Sequence, residues 1–426
     1  MDVVKDFGEK IKFHRLKANM TQEDLSKGII SVSYLSKIEA GILNPTNEIR
    51  ESLCQKLNLD PLFLENNKMQ ELCQTWFKHL LHRNLAGSIE LYEKINNNID
   101  YISNKQLLHL FQIHKLSFFL FTKNKTEAAN QFEYLQNQSP DFKGSASLYW
   151  HKASGDYHFS QLAYTEALNC YQEAEKKISN EQIHLPEEEK MDLYYLIAIT
   201  ASKVRNTYIA IVYSSEALEY YRSVYNLVRC ARCHILLGLS YQRANDYQKA
   251  IENYELAITI VKSINDKKAL ALCYQNMGKL NSMMKQTEIA IDYFQKSYQL
   301  RGNEPASKRI TPISSLMKEY YNLGDIHQAD HWLEKGLKAS ETLSPTDSIY
   351  VHEFKVFEQL IRGFDKSFPN LINEVVIPFL NEKQLVFEKS LYLKILGDYY
   401  FNNRKYKLAA LTYHEANSIL GTFNSD

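Results

Sequence analysis

Val4, Phe7 and Ile11 recur at i, i+3 and i+7, one apolar stripe on a first helix running to about Lys17. Asn19-Met20 breaks the pattern. Thr21, followed three residues later by Asp24, is a capping-box-like start for a short second helix, Gln22 to Lys27, with Leu25 and Ile29 on its buried face. Ile30-Ser31-Val32 makes a tight connection, and Leu35 and Ile38 mark the inward side of a third helix from about Val32 to Ala40. It ends where Gly41 takes left-handed backbone. Ser33, Tyr34, Ser36 and Lys37 are then left facing outward. After Asn44-Pro45-Thr46, the residues Ile49, Leu53 and Leu57 give a fourth helix, and Leu59, Leu62 and Phe63 close a small core.

From about Met69 a different pattern begins: an alanine, an aromatic residue four positions on, and a small or apolar residue three further. It appears as Ala167-Tyr171-Ala174, Ala217-Tyr221-Val224, Ala250-Tyr254-Ala257, Ala290-Phe294-Ser297 and Ala409-Tyr413-Ala416. Twelve residues before the alanine stands Gly155, Gly238, Gly278 or Gly397 in four of them. Small residues let two helices cross closely while the ring fills the neighbouring gap. Weaker copies centre on Ser88-Tyr92-Ile95, Ala128-Phe132-Leu135 and Ala329-Leu333-Gly336, and a degenerate one fills residues 350 to 388. Eight or nine hairpins are expected, with uneven spacing that implies longer helices or loops in several.

Composition agrees with an all-α chain. Only 14 Gly and 9 Pro occur in 426 residues, few for a sheet-and-turn protein, and the length exceeds one compact core. Without a long apolar run or an apolar leader, a cytoplasmic protein without membrane contact is expected. The six cysteines lack the dense spacing of a disulfide framework. Net charge is zero, and the first sixty residues hold nine Lys plus Arg against nine Asp plus Glu. Any DNA binding must therefore follow from where charges point rather than from a basic bulk.

Thr21-Gln22-Glu23-Asp24-Leu25, Tyr34-Leu35-Ser36-Lys37-Ile38-Glu39-Ala40-Gly41 and Asn44-Pro45 resemble the phage-repressor (Cro and C1) class of helix-turn-helix over about residues 5 to 65. The turn departs from that class: Ile29-Ile30-Ser31 stands where a glycine is usual, and the connection is one residue shorter. The resemblance implies that the third helix enters the major groove with Ser33, Tyr34 and Lys37 as readers and Ser36 second. Gln22 would open the helix crossing the backbone, and Asn44 and Lys10 or Lys12 would meet phosphates. Arg15 with Glu39 would be an internal ion pair fixing the first helix to the third.

The later pattern resembles the tetratricopeptide repeat, a helical hairpin of about 34 residues whose stacked first helices line a concave groove that takes an extended peptide. Placing Gly278 at the crossing turns Gln275, Asn276 and Lys279 toward that groove. The same offsets give Arg205 with Asn206, Arg232 with Gln242 and Arg243, and Lys318 with Tyr321 and Asn322. Amide side chains suit the task because an extended peptide presents unpaired N–H and C=O groups.

Together the two parts resemble the Rap-NprR-PlcR-PrgX family of cytosolic peptide-pheromone receptors, with length and repeat number most like the neutral-protease regulators. The resemblance implies a helix-turn-helix domain over 1–66 and a tetratricopeptide peptide-sensing and oligomerisation domain over 67–426. It implies a quorum-sensing transcriptional regulator in which a re-imported signalling peptide controls binding to double-stranded DNA. The chain would act as a homodimer or tetramer and, when peptide-free, inhibit a sporulation phosphorelay response regulator. A DNA-independent scaffold or phosphatase regulator is the competing expectation.

No enzyme, metal or cofactor is expected. Cys230-Ala231-Arg232-Cys233-His234 matches the haem-attachment spacing literally, but inside a repeat helix it reads as packing cysteines. Glu187-Glu188-Glu189 after Pro186 complements a helix dipole.

Overall fold

The computed structural model describes residues 2–59, 68–99, 102, 104–180, 183–302, 304–346 and 348–421, and among these every regular element is helical. Helices α1 (Asp2–Lys17), α2 (Gln22–Ser26), α3 (Val32–Glu39) and α4 (Asn47–Lys56) come first. Thr21 caps α2 as its spacing predicts: Thr21 Oγ1 accepts from the Asp24 N–H at 3.0 Å, and Asp24 Oδ2 accepts from the Thr21 N–H at 2.9 Å. Gly28 leaves α2 in left-handed backbone (φ +83°), and Gly41 does the same after α3 (φ +69°). Phe7, Ile11, Leu25, Leu35, Ile38, Leu53 and Cys54 form the core between them. Leu62, Phe63 and the expected boundary at 66/67 lie outside the described residues.

Hairpins follow: α5 (Lys68–Leu81) with α6 (Leu85–Asn97), α7 (Lys105–Phe121) with α8 (Lys125–Gln138), α9 (Ser145–Ser160) with α10 (Tyr164–Asn180), and α11 (Glu187–Lys203) with α12 (Thr207–Ser223). The chain divides into two compact units, 1–217 and 218–426, so the division falls inside α12. The second unit holds α13 (Leu227–Arg243) with α14 (Tyr247–Ser263), α15 (Lys267–Met283) with α16 (Thr287–Arg301), and α17 (Ala306–Leu323) with α18 (Ile326–Ser340). Next come α19 (Ile349–Arg362), α20 (Phe368–Asn370), a π-helical stretch Leu371–Val376, and α21 (Ile377–Glu382). The pair α22 (Val386–Asn402) and α23 (Tyr406–Gly421) ends the series. The π-turns precede Pro378, which has no N–H to offer the Glu374 carbonyl. This is the degenerate repeat expected at 350–388.

The triples fall on the second helix of each hairpin, with one correction. In α12 the buried positions equivalent to Ala250, Tyr254 and Ala257 are Ala210, Ser214 and Ala217, not Ala217, Tyr221 and Val224. Val224 lies past the helix end and is 49% exposed. The spacing rule matched a second time along the same helix because its i, i+4, i+7 period repeats there, and the serine concealed the true ring position.

Several turns, within hairpins and between them, share one construction. A residue with positive φ, such as Arg83, Lys123, Arg205, Tyr225, Asn245 or Asn265, stops the preceding helix. The next residue, Asn84, Asn124, Asn206, Asn226, Asp246 or Asp266, accepts a backbone N–H of the following helix through its side chain.

Candidate DNA interface and ligand-binding face

A buried clasp joins α1 and α3. Arg15 donates from Nε to Glu39 Oε1 at 2.6 Å and from a terminal nitrogen to Glu39 Oε2 at 2.9 Å, and a second terminal nitrogen reaches the Met20 carbonyl at 2.8 Å. The hydrogen bond to Glu39 raises the Arg15 pKa against the lowering by burial. Gln22 Nε2 donates to Glu39 Oε2 at 2.8 Å, so this side chain, expected at the DNA backbone, is tied to the clasp. With Leu35 and Ile38 inward, α3 leaves Ser33, Ser36 and Lys37 exposed.

Tyr34 is corrected. It is half-buried and packs against the helix-turn-helix core, because its position on the 3.6-residue period falls beside Leu35 and Ile38 rather than opposite them. Asn44 is exposed and accepts from Arg50 at 2.5 Å. Lys10 is buried, which leaves Lys12 as the exposed member of that pair.

In the second unit, side chains on successive first helices bond to one another. Gln242 on α13 donates from Nε2 to Met283 Sδ on α15 at 3.0 Å, and Gln275 on α15 donates to Ser315 Oγ on α17 at 2.8 Å. Ser282 bonds Glu319. On α19, Glu353 accepts from Ser314 and forms an ion pair with Lys318, and Tyr350 donates to Thr311 at 3.0 Å. Gln242, Gln275 and Lys318 thus stand in one series running from α13 to α19, in which each bond reaches about one repeat along the chain. The sequence reading missed Ser282, Ser314, Ser315, Glu319 and Glu353; polar residues recurring one repeat apart at the same helix position were the signal.

Other expected members are placed differently. Arg205 and Asn206 lie in the α11–α12 turn, the first as its positive-φ residue (φ +62°) and the second as the cap, accepting from the Ile209 N–H at 3.2 Å. The groove-facing offset therefore does not apply to them, since the helix ends at Lys203. Gln242 is corrected too: it is buried, and its Oε1 accepts from the Tyr254 hydroxyl at 3.0 Å, so both ends of the amide are engaged within the chain. Gln275 differs, for its buried Oε1 has no partner. Asn276 is half-buried, Arg232 and Lys279 are exposed, and Tyr321 meets Phe357 edge-on at 5.8 Å.

The first unit has its own cluster between α9 and α11. Lys152 pairs with Asp192 at 2.9 Å, Tyr149 donates to Glu189 at 2.6 Å, and Tyr171 donates to Asp156 at 2.7 Å. Burial pushes the Asp156 carboxyl up, opposed by Lys152. For Lys152, burial works downward but the neighbouring Asp192 and Asp156 prevail, so its pKa is raised. Glu188 meets His82 at 3.0 Å, so the acidic run at 187–189 bridges helices as well as opening one. Cys230 and Cys233 are buried in α13, and His234 bonds Asn253 at 2.9 Å.

Family models match this chain as a helix-turn-helix over residues 11–64 and as tetratricopeptide repeat over 189–263 and 235–303. The transcriptional activator NprA of Geobacillus stearothermophilus is 30% identical over 230 residues, 53% of this chain and 56% of the relative. Response regulator aspartate phosphatase E of Bacillus subtilis is 23% identical over 186 residues, 41% of this chain and 48% of the relative. The chain thus spans about half the length of each. Among solved structures, the apo form of the quorum sensor NprR from B. thuringiensis superposes with a TM-score of 0.73 at 16% identity, over 83% of this chain and 99% of that one, and so has the same fold. These matches show a chain that joins a helix-turn-helix to tetratricopeptide repeats in the fold of the quorum sensor NprR.

Proposed function

We propose that the chain is a quorum-sensing transcriptional regulator. Residues 1–66 read double-stranded DNA. Residues 67–426 receive a short signalling peptide and assemble the homodimer or tetramer. The observation that carries the reading is α3, clasped through Arg15–Glu39 so that Ser33, Ser36 and Lys37 face solvent together, on a chain related to an activator. Two such helices about 34 Å apart would read a two-fold site far better than one. Gln275 supports the peptide half, because its buried, unpartnered carbonyl oxygen is the acceptor that an extended peptide's N–H would satisfy. Asn276, Lys279, Arg232, Lys318 and Tyr321 are the further contacts proposed, and the site of action is the cytoplasm. Switching from mostly off to mostly on requires the peptide to favour one arrangement of the repeats by about 5.5 kcal/mol.

Gel shift of genomic fragments with and without short peptides tests this. Lys37→Ala is expected to weaken binding and to reduce the salt slope by about 1, because a cation that reaches base edges in the groove also neutralises about one neighbouring phosphate charge. Unchanged affinity and slope in that variant would remove α3 from the groove.

A second reading is favoured by the likeness to response regulator aspartate phosphatase E: the peptide-free chain inhibits a sporulation response regulator. It predicts direct binding of that partner, abolished by peptide and indifferent to Lys37→Ala. Neither reading makes this chain an enzyme.

A further inference from the structure

We infer that Val32 reads the methyl group of a thymine in the major groove; this rests on the DNA-binding reading above. Val32 is the first residue of α3 and is 43% exposed. It stands one turn before Ser36 on the same side of the helix, while Ser33 lines up with Lys37, so the exposed face of α3 offers one apolar group and three polar ones. Tyr34, Leu35, Ile38 and Glu39 hold the opposite side against the domain. Ser31, just before Val32, is the helix cap, its Oγ accepting from the Tyr34 N–H at 3.2 Å, and is thereby held away from base edges.

A single exposed valine on a protein surface requires no explanation by itself. Its place gives this one meaning, because the N-terminal residues of a helix in this motif are those that meet base edges. The major groove presents one apolar feature there, the thymine C5-methyl, which distinguishes T·A from the other pairs. A β-branched side chain in a helix has little χ1 freedom to lose, so its methyls are already positioned. The serines and the lysine meet the polar edges, and Val32 supplies the remaining element of a code that the polar residues alone would leave degenerate.

The test uses the full chain. Duplexes are selected from a random-sequence library at low salt, with and without a pool of short synthetic peptides. In the selected duplex each thymine is then replaced, one at a time, by deoxyuridine, which lacks only the methyl. At one thymine in each half-site the wild-type chain is expected to lose about fourfold in affinity, the ratio associated with burying one methyl group. Val32→Ala should bind the thymine and deoxyuridine duplexes equally at that position and keep the wild-type response everywhere else. The inference is overturned if Val32→Ala shows the wild-type response at every thymine, or if no thymine matters to either protein. A library from which no sequence is enriched overturns the DNA-binding reading and this assignment with it, a failure distinct from enrichment without methyl dependence.

Discussion

The ring of Tyr254 fills the space that a side chain on Gly238 would need, for a Cβ there would stand 2.6 Å from two of its ring carbons. The same relationship joins Gly155 with Tyr171 and Gly278 with Phe294, so in each of these hairpins a bare backbone on the first helix receives a ring from the second. Tyr254 is fully buried, and its hydroxyl is held by Gln242, which fixes the ring against that backbone.

Gly238→Ala should therefore destabilise the second unit, against intrinsic propensity. Alanine in mid-helix would gain about 1 kcal/mol over glycine. Forcing the buried ring aside costs about 1–3 kcal/mol. A net loss of roughly 1 kcal/mol is expected in the denaturant midpoint at unchanged m-value. A more stable variant would mean that the ring has room to move.

Glu39→Ala removes one half of the buried clasp, leaving Arg15 charged without its carboxylate and Gln22 without its acceptor. Breaking such a pair costs about 3–5 kcal/mol, comparable with the whole stability of a sixty-residue module. Amide hydrogen exchange should show α1 to α3 losing protection while α13 to α16 keep theirs. Wild-type protection throughout would make the clasp incidental.

Asn206 and Asn276 separate a structural amide from one proposed to bind. Asn206→Ala deletes a helix cap and is expected to lower stability by about 1 kcal/mol with peptide affinity unchanged. Asn276→Ala should leave stability nearly constant and weaken peptide binding roughly tenfold, the equivalent of one hydrogen bond. Calorimetry and thermal melts on both variants decide it; the reverse assignment of effects would place the ligand at the turn.

The helix-turn-helix was legible because local signals agreed: the Thr21–Asp24 box and the Leu35–Ile38 spacing fell where the structure has them, and the Arg15–Glu39 pair that the repressor resemblance implied is formed. Tyr34 was misread because an aromatic residue at the margin of an apolar stripe belongs to either face until packing decides. Glycine and ring positions identified the repeats, yet the register slipped where Ser214 replaces the ring. The polar series failed for a different reason. Whether an amide such as Gln242 is open to a ligand depends on Tyr254 and Met283, residues that meet it only after the hairpins pack. Turn residues were mistaken for groove residues at Arg205 and Asn206, although the recurrence of Asn or Asp at 206, 226, 246 and 266 marks the caps once the turn is recognised.

His114 gives the first unit a pH dependence whose sign follows from burial. Its ring stacks on Phe77 at 3.8 Å, lies 4.9 Å from Tyr149, and Nδ1 is 2.8 Å from the Leu110 carbonyl. Burial pushes its pKa down from 6.5 to about 4; the Leu110 bond opposes this and the Lys152 charge reinforces it. Between those values the unfolded chain binds a proton that the folded chain refuses. The contribution is thus fully present above about pH 6.5 and is lost as pH falls toward 4. In His114→Asn, which has no proton to gain, the plot of unfolding free energy against pH should be shallower in this window by up to about 1.4 kcal/mol per pH unit. His109, His234 and His352, whose pKa values are also lowered by burial, titrate alike in both proteins and cancel from the difference. Equal slopes would show that the imidazole takes up its proton without leaving its place between Phe77 and Tyr149.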